Sequence, residues 1–186
     1  FTAFLDASVL YSAPLRNLLM YLALTDLFRA KWSKQVQSEW VAALLGNRPD
    51  LDQERLERTC RLMNEHVRDA LVSSYSNIVA GLQLPDPTDR HVLAAAIKAH
   101  ADVIVTFNLK DFPADVLSPY GMEAQHPDEF VCHLLDLAPG AVATAASEHR
   151  QSLSHPKKDV AAYLATLEQQ GLTQTVSGLR QYMRVL

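Results

Sequence analysis

The chain has 186 residues, of which 48% are hydrophobic and 20% charged, and its formal net charge is −4. This composition is typical of a folded globular protein and excludes an intrinsically disordered chain. The length suits one domain with a helical extension better than two full domains. No apolar run is long enough to cross a bilayer, and no signal-peptide pattern is present. We therefore expect a cytoplasmic protein with no membrane partner.

Strand and helix patterns alternate from the first residues onward. Thr2 to Leu5 is a short apolar run that predicts a buried strand, with Asp6 at its carboxyl end. The next patterns predict a helix after Pro14 whose leucines lie between Leu15 and Leu27, a strand at Phe28 to Trp32, a helix capped by Ser33 that carries Glu39, and an amphipathic helix from Asp52 to Val67.

The segment from Leu84 to Ala96 places two carboxylates three residues apart before a helix. Asp86 precedes a proline, which disfavours helix at its own position, and Thr88 is predicted to cap a helix that continues through the apolar stretch Val92 to Ala99. Asp89 then falls in the first helical turn. Because the helix dipole alone favours a carboxylate there, Asp89 taken by itself is equally explained as a helix-end charge.

The remaining patterns complete an alternating α/β order and then become helical. Val103 to Val105 is a β-branched run typical of a strand buried on both faces, and Met122 to Gln125 predicts a last strand. A helix should start at His126-Pro127-Asp128-Glu129. The tail after it is divided into three segments by Pro139-Gly140 and His155-Pro156, and Gly171 is a candidate end of a further one. We expect an α/β domain over residues 1–126 and a helical C-terminal extension, packed on it, over residues 127–186.

Several acids lie where a parallel sheet would bring them together. Asp6 ends the first strand, Asp111 follows the later one, and Asp89 begins the helix between them. Ligands of open parallel sheets bind at the carboxyl ends of the strands, and Glu39 could point inward from a neighbouring helix. Carboxylates in one pocket repel, and protonation or a bound cation relieves the repulsion. Oxygen-only ligands favour Mg²⁺ or Mn²⁺.

Four motifs in order along the chain resemble those of the PIN-domain nucleases, in particular the VapC-like toxins of bacterial toxin–antitoxin pairs. They are Phe4-Leu5-Asp6-Ala7-Ser8, Ser38-Glu39, Asp86-Pro87-Thr88-Asp89-Arg90-His91 and Thr106-Phe107-Asn108-Leu109-Lys110-Asp111-Phe112. The resemblance implies a three-layer α/β/α fold with a central parallel sheet, a site for Mg²⁺ or Mn²⁺, and hydrolysis of RNA phosphodiester bonds. It also implies a cognate antitoxin as partner and leaves a homodimer open.

The resemblance assigns roles to particular residues. Asp6, Glu39 and Asp89 take the first three acidic positions of the family and Asp111 the fourth, with Asp6, Asp89 and Asp111 as metal ligands. Many members carry an acid where this chain has Asn108, so Asn108 could instead coordinate through its carbonyl or hold a water. The candidate supporting residues are Ser8, Asp86, Thr106 and Asn108, and the candidate phosphate contacts are Arg90, Lys110 and Arg16. We expect His91, beside Asp89, to be structural.

Other functions remain open at this point. A phosphatase of the haloacid-dehalogenase kind also has an aspartate after a strand, but it needs a second aspartate where Ser8 stands. A PIN-like scaffold that binds RNA or a partner without catalysis is a second alternative, and a DNA-directed nuclease is a third. An antitoxin's amphipathic segment would have two candidate grooves, at Leu15 to Leu27 and at Glu39 to Leu45, unless those stripes belong to the core.

Overall fold

The computed structural model describes all residues from Phe1 to Leu186 and contains two compact units. The first unit combines residues 1–11 with residues 28–126, and the second combines residues 12–27 with residues 127–186. The strands are β1 (Thr2–Leu5), β2 (Arg29–Ser33), β3 (Leu71–Val72), β4 (Val103–Val105) and β5 (Glu123–Gln125). All five belong to the first unit.

Helices follow the strands in the first unit and make up the second. Those of the first unit are α1 (Ala7–Leu10), α3 (Lys34–Asn47), α4 (Gln53–His66), α5 (Ser76–Val79), α6 (Arg90–Lys98) and α7 (Ala114–Leu117). Those of the second are α2 (Ala13–Ala23), α8 (Pro127–Leu137), α9 (Pro139–Ser152), α10 (Val160–Gln169) and α11 (Thr173–Leu179). None of them has both the length and the apolar character needed to cross a membrane.

The five strands form one parallel sheet in the order β3-β2-β1-β4-β5. Phe4 of β1 is in register with Lys31 of β2 on one side and with Ile104 of β4 on the other. The chain thus extends the sheet from β1 in one direction and later resumes beside β1 in the other. The carboxyl ends of β1 and β4 flank the topological switch point, where open α/β sheets bind their ligands. The sheet confirms the predicted α/β/α class.

Burial explains why these segments form the sheet. All four residues of β1 and all three of β4 are buried, so neither strand shows the alternation of a half-exposed strand. Trp32 of β2 is fully buried, and its indole N–H donates to Asn64 Oδ1 of α4 at 2.7 Å. A buried indole needs such a partner, so this bond fixes α4 to β2.

The second unit is helical, and buried polar side chains hold its helices together. Asp128, 3% exposed, accepts from the backbone N–H groups of Gln174 and Thr175 at 2.9 and 2.8 Å, so its carboxylate satisfies the free amides at the start of α11. His149 stacks on Tyr21, and its Nδ1 lies 3.0 Å from the Tyr163 hydroxyl. Burial lowers the pKa of His149 to about 4, so the ring is neutral at physiological pH.

Most predicted elements are present with small shifts, and the differences concern short elements, one helix end and one helix cap. The two-residue strand β3 and the short helices α5 and α7 were not predicted. Leu27 lies beyond α2, which ends at Ala23. Thr88 does not cap a helix: Asp86 caps a 3₁₀ turn at Pro87–Asp89, and α6 begins only at Arg90. The helix break at Gly171 is confirmed, since this residue has a φ of +82° between α10 and α11.

Candidate active site

Asp6 lies at the carboxyl end of β1 in a dense set of hydrogen bonds. Its Oδ1 accepts from the backbone N–H of Ala7 at 2.7 Å, which caps α1. Its Oδ2 accepts from the hydroxyls of Ser8 and Thr106 at 2.7 and 2.9 Å. Thr106 follows β4, so these bonds join the two strand ends at the switch point. These three donors fix the orientation of the Asp6 carboxylate, which is only 6% exposed.

Asp89 lies among other acids and caps nothing. It occupies the N-cap position of α6, yet its side chain makes no capping hydrogen bond, so it is not explained as a helix cap. The pKa of the Asp89 carboxyl is raised to about 6, chiefly by burial and then by the negative charges of Asp6, Asp86 and Asp111, against a smaller opposing effect of His91. These charge effects indicate that four of the predicted acids, Asp6, Asp86, Asp89 and Asp111, lie near one another.

Asp86 has a structural contact of its own within this group. Its Oδ1 accepts from the hydroxyl of Thr88 at 2.7 Å and from the Thr88 backbone N–H at 2.8 Å. These bonds lower the pKa of Asp86, which is exposed, so its carboxylate is charged and held at the start of the turn that carries Asp89.

The loop after β4 carries the two candidates for the fourth position. The Asn108 backbone N–H donates to Thr106 Oγ1 at 3.0 Å, and a 3₁₀ turn at Leu109–Asp111 follows. Asp111 is half-buried and its charge raises the pKa of Asp89, whereas Asn108 is exposed. Asp111 is therefore close enough to Asp89 for their charges to interact. This favours Asp111 over Asn108 as the residue at the fourth position of the site.

Glu39 contacts a residue that the sequence had not linked to the site. Its Oε1 lies 2.7 Å from Nε2 of His91, and Gln35 of the same helix donates to this oxygen at 3.4 Å. His91 is 6% exposed. The expectation that His91 would be only structural overlooked this contact, which ties α6 to Glu39 two residues after Asp89. The sequence feature that could have indicated this contact is the position of His91, a polar residue directly before the apolar run Val92–Ala96.

The three predicted phosphate contacts differ in placement. Lys110 is exposed on the loop after β4, and Arg90 is half-buried at the start of α6, where its Nε has no hydrogen-bond partner. Arg90 directly follows Asp89 in the sequence, and Lys110 directly precedes Asp111. Arg16 is 5% exposed on α2, in the second compact unit. Its role as a phosphate contact stays a prediction.

The carboxylate oxygens of the site fit a hard divalent cation, although they do not surround a metal position on their own. No three histidine, cysteine, aspartate or glutamate side chains lie close enough to hold a metal ion among them. Mg²⁺, however, keeps several waters and is commonly bound through one or two carboxylates together with substrate phosphates. Asp6 and Asp89 provide such oxygen donors, and a cation would offset both the burial of Asp89 and the repulsion by its neighbouring acids, which together raise its pKa. The residues therefore fit Mg²⁺ or Mn²⁺.

Comparison with known proteins identifies the family. The PIN-domain profile matches residues 2–110, more than half of the chain and a range that contains Asp6, Glu39 and Asp89. The chain belongs to the PIN-domain family. Residues 127–181 match the profile described as the VapC50 C-terminal domain.

One curated relative extends this resemblance. Over 68 residues the chain is 48% identical to the Mycobacterium tuberculosis (strain ATCC 25618 / H37Rv) protein named "Putative ribonuclease VapC50", an alignment that covers 37% of this chain and 40% of that protein. The chain thus spans about two fifths of the length of this relative. No solved structure matches the chain. The VapC-like resemblance read from the motifs is confirmed by these matches.

Proposed function

We propose that this chain is a Mg²⁺- or Mn²⁺-dependent endoribonuclease and the toxin of a toxin–antitoxin pair, acting in the cytoplasm. The observation that carries the proposal is the position of Asp6 at the sheet's switch point, where it is bonded to Thr106, together with the acids Asp6, Asp86 and Asp111, whose charges add to burial in raising the pKa of Asp89 to about 6. Membership of the PIN-domain family and the name of the mycobacterial relative support RNA as the substrate.

The proposed mechanism assigns separate tasks to the residues of the site. Asp6 and Asp89 would hold the cation, with Asp111 beside them, and the cation supplies Lewis acidity to a phosphoryl oxygen and lowers the pKa of a water. Ser8 and Thr106 hold the Asp6 carboxylate in place through their hydroxyl bonds.

The outer residues would act on the water and the substrate. Glu39, held by His91, or Asp86 orients the attacking water, and Arg90 and Lys110 contact phosphate. No protein nucleophile is needed for this hydrolysis.

The alternatives have weaker support. In a phosphatase of the haloacid-dehalogenase kind, a second aspartate two residues after the nucleophile acts as general acid. Here that residue is Ser8, whose hydroxyl donates to Asp6 and whose unperturbed hydroxyl is a poor acid. A non-catalytic PIN-like scaffold would not need three further acids beside Asp89. The motifs serve DNA and RNA hydrolysis alike, so the cleavage test includes both polymers.

The test is cleavage of single-stranded RNA and DNA with Mg²⁺ or Mn²⁺. The unaltered chain should cut RNA, and chelation should stop it. Asp89→Asn should abolish cleavage, because it removes a ligand charge while preserving size. The matched control is Asp136→Asn, the same change at an exposed position of α8 in the second unit. An active Asp89→Asn protein, purified free of other nucleases, would contradict the assignment.

An antitoxin would have one of the two predicted grooves available. The prediction of a groove at Leu15 to Leu27 is wrong for its helical part, because Leu15, Leu18, Leu19 and Leu22 are no more than 1% exposed and belong to the core. Between α3 and α4, by contrast, lies a cavity of about 710 Å³ whose lining includes Val41, Ala42, Leu45 and Cys60. We place an amphipathic antitoxin segment there, with a basic side chain reaching Asp6 and Asp89.

Co-expression tests this partner. Induction of the chain should arrest growth, and the neighbouring open reading frame should rescue it. Ala42→Arg should prevent the rescue by filling the cavity, whereas Ala161→Arg, at an exposed position of α10, should not. Absence of toxicity together with absence of a complex would reject the toxin role and leave the nuclease proposal standing.

A further inference from the structure

Phe107 is an exposed aromatic residue directly beside the acidic centre. It is the first residue after Thr106, whose hydroxyl donates to Asp6, and 37% of its surface is accessible to solvent. The residues just before it, Val103 to Val105, are almost completely buried. The buried strand β4 is thus followed, two residues after its end, by an exposed aromatic side chain next to the site.

Hydrogen bonds fix the backbone that carries this ring. The Phe107 N–H donates to the hydroxyl oxygen of Ser8 at 3.2 Å, and the next N–H, of Asn108, donates to the hydroxyl oxygen of Thr106 at 3.0 Å. The same two hydroxyls donate to Asp6. The polar groups that orient the candidate metal ligand therefore also hold Phe107, so the ring is kept at a set place relative to Asp6.

The ring of His126 packs against the ring of Phe107. His126 follows β5, the strand paired with β4, and its ring meets that of Phe107 edge to face, with centroids 5.0 Å apart and planes 79° apart. The Thr106 N–H donates to the Gln125 carbonyl at 3.0 Å, which keeps the two strand ends together. We call Phe107 and His126 the aromatic ledge.

We propose that the aromatic ledge stacks an unpaired nucleobase next to the phosphate that the acidic centre hydrolyses. This deepens the proposed nuclease function and rests on it. Every nucleobase has a π face, and stacking on an exposed aromatic ring binds single strands without needing a particular sequence. A phosphate at Asp6 and Asp89 would leave the neighbouring base of the same strand within reach of a ring one residue beyond Thr106. Phe107 is then a substrate-positioning residue.

The test compares aromatic and aliphatic side chains at position 107 in the Asp89→Asn protein. A chelator is present so that no RNA is cut. The probes are a short single-stranded RNA containing a fluorescent adenine analogue and the same strand with abasic sites. Phe107→Ala and Phe107→Leu should weaken binding of the RNA by about five- to a hundredfold and lose the quenching of the analogue. Phe107→Tyr keeps the ring and should bind like the parent.

Two controls separate stacking from a general loss of structure. Tyr120→Ala removes an aromatic residue of similar exposure, 46%, from the same unit and should change RNA binding less than about twofold. On the abasic strand, Phe107→Ala and its parent should bind alike, because only the phosphates remain to be recognised. Melting temperatures of all variants should stay close to that of the parent.

The outcomes distinguish this inference from the function on which it rests. If the unaltered chain cleaves RNA but Phe107→Leu binds it as tightly as the parent, the ledge does not stack a base, and the nuclease function stands. Equal losses on normal and abasic strands would also overturn the ledge. If Phe107→Ala spares RNA binding but releases the antitoxin, the ledge is a protein contact. If the parent neither binds nor cleaves RNA, both proposals fail.

Discussion

His91 and Glu39 form a close polar pair between two helices, with 2.7 Å between Nε2 and Oε1. The two partners differ in exposure, because the His91 side chain is 7% exposed and that of Glu39 is 40% exposed. The other ring nitrogen of His91, Nδ1, is buried without a hydrogen-bond partner. Burial of this imidazole is therefore offset mainly by its contact with Glu39. The residue two positions after Asp89 thus restrains an acid that α3 supplies.

A double-mutant cycle should detect this pair. We expect His91→Ala and Glu39→Ala each to lower the free energy of unfolding, and the double variant to lose about 1 kcal/mol less than the sum of the two. The measurement is chemical denaturation of the four proteins without metal. The matched control pairs Gln35→Ala with Glu39→Ala, where the contact is 3.4 Å and exposed, and the effects should simply add. Additive effects in both cycles would show that His91 does not hold Glu39.

The raised pKa of Asp89 makes a signed prediction for stability. Between pH 3.8 and about 6, the folded protein retains a proton on Asp89 that the unfolded chain has lost. The contribution of this residue to the free energy of unfolding therefore falls as pH rises through that window and is constant above it. Because the side chain is partly exposed, solvent screening reduces the effect to about 1 kcal/mol at most.

Asp89→Asn removes this titration. Without metal, the variant should be as stable as the parent at the acidic end of the window and more stable above pH 6, by that same small amount. Denaturation curves of both proteins across the pH range, with chelator present, test this. A variant that is less stable than the parent above pH 6 would mean that Asp89 is stabilised by a partner and is not crowded by acids.

The Ser8 and Thr106 hydroxyls that donate to Asp6 should contribute to the stability of the fold as well as to the site. Thr106 is fully buried, and Thr106→Val would remove both a donor to Asp6 and the acceptor of the Asn108 N–H. We expect it to cost about 1–3 kcal/mol of unfolding free energy. Ser8→Ala should act in the same direction. Ser73→Ala, at an exposed position after β3, should change stability by less than about 0.5 kcal/mol. A neutral Thr106→Val would contradict the hydrogen-bond arrangement described for Asp6.

The sheet could be predicted because its strands are simple in composition. Val103 to Val105 are β-branched and buried on both faces, and β1 is a short apolar run that ends at a carboxylate, so both stood out in the sequence. The edge strand β3 has two residues and an exposed leucine, which is too short for any periodicity to be visible. The cap at Asp86 was misassigned because Thr88 and Asp86 are both good capping residues, and only the three-dimensional bonds separate them.

The predicted site depended on topology more than on local pattern. Parallel strands imply a common edge for Asp6 and Asp111, and the charges that raise the pKa of Asp89 agree with that placement. The contact between His91 and Glu39 could not be read from the sequence, because it depends on how α6 and α3 are rotated about their axes. The same holds for the aromatic ledge, whose two rings come from strand ends separated by α7 and the loops around it.

The central claim is that Asp6 and Asp89 form a cation site, and a titration of Mn²⁺ followed by the electron paramagnetic resonance of the free ion tests it most directly. Near neutral pH the unaltered chain should remove free Mn²⁺ saturably. Asp89→Asn and Asp6→Ala should weaken this binding by at least about tenfold, a loss of about 1.4 kcal/mol, and Asp136→Asn should bind like the parent. Equal binding by the parent and Asp89→Asn, or no binding by the parent, would contradict the account.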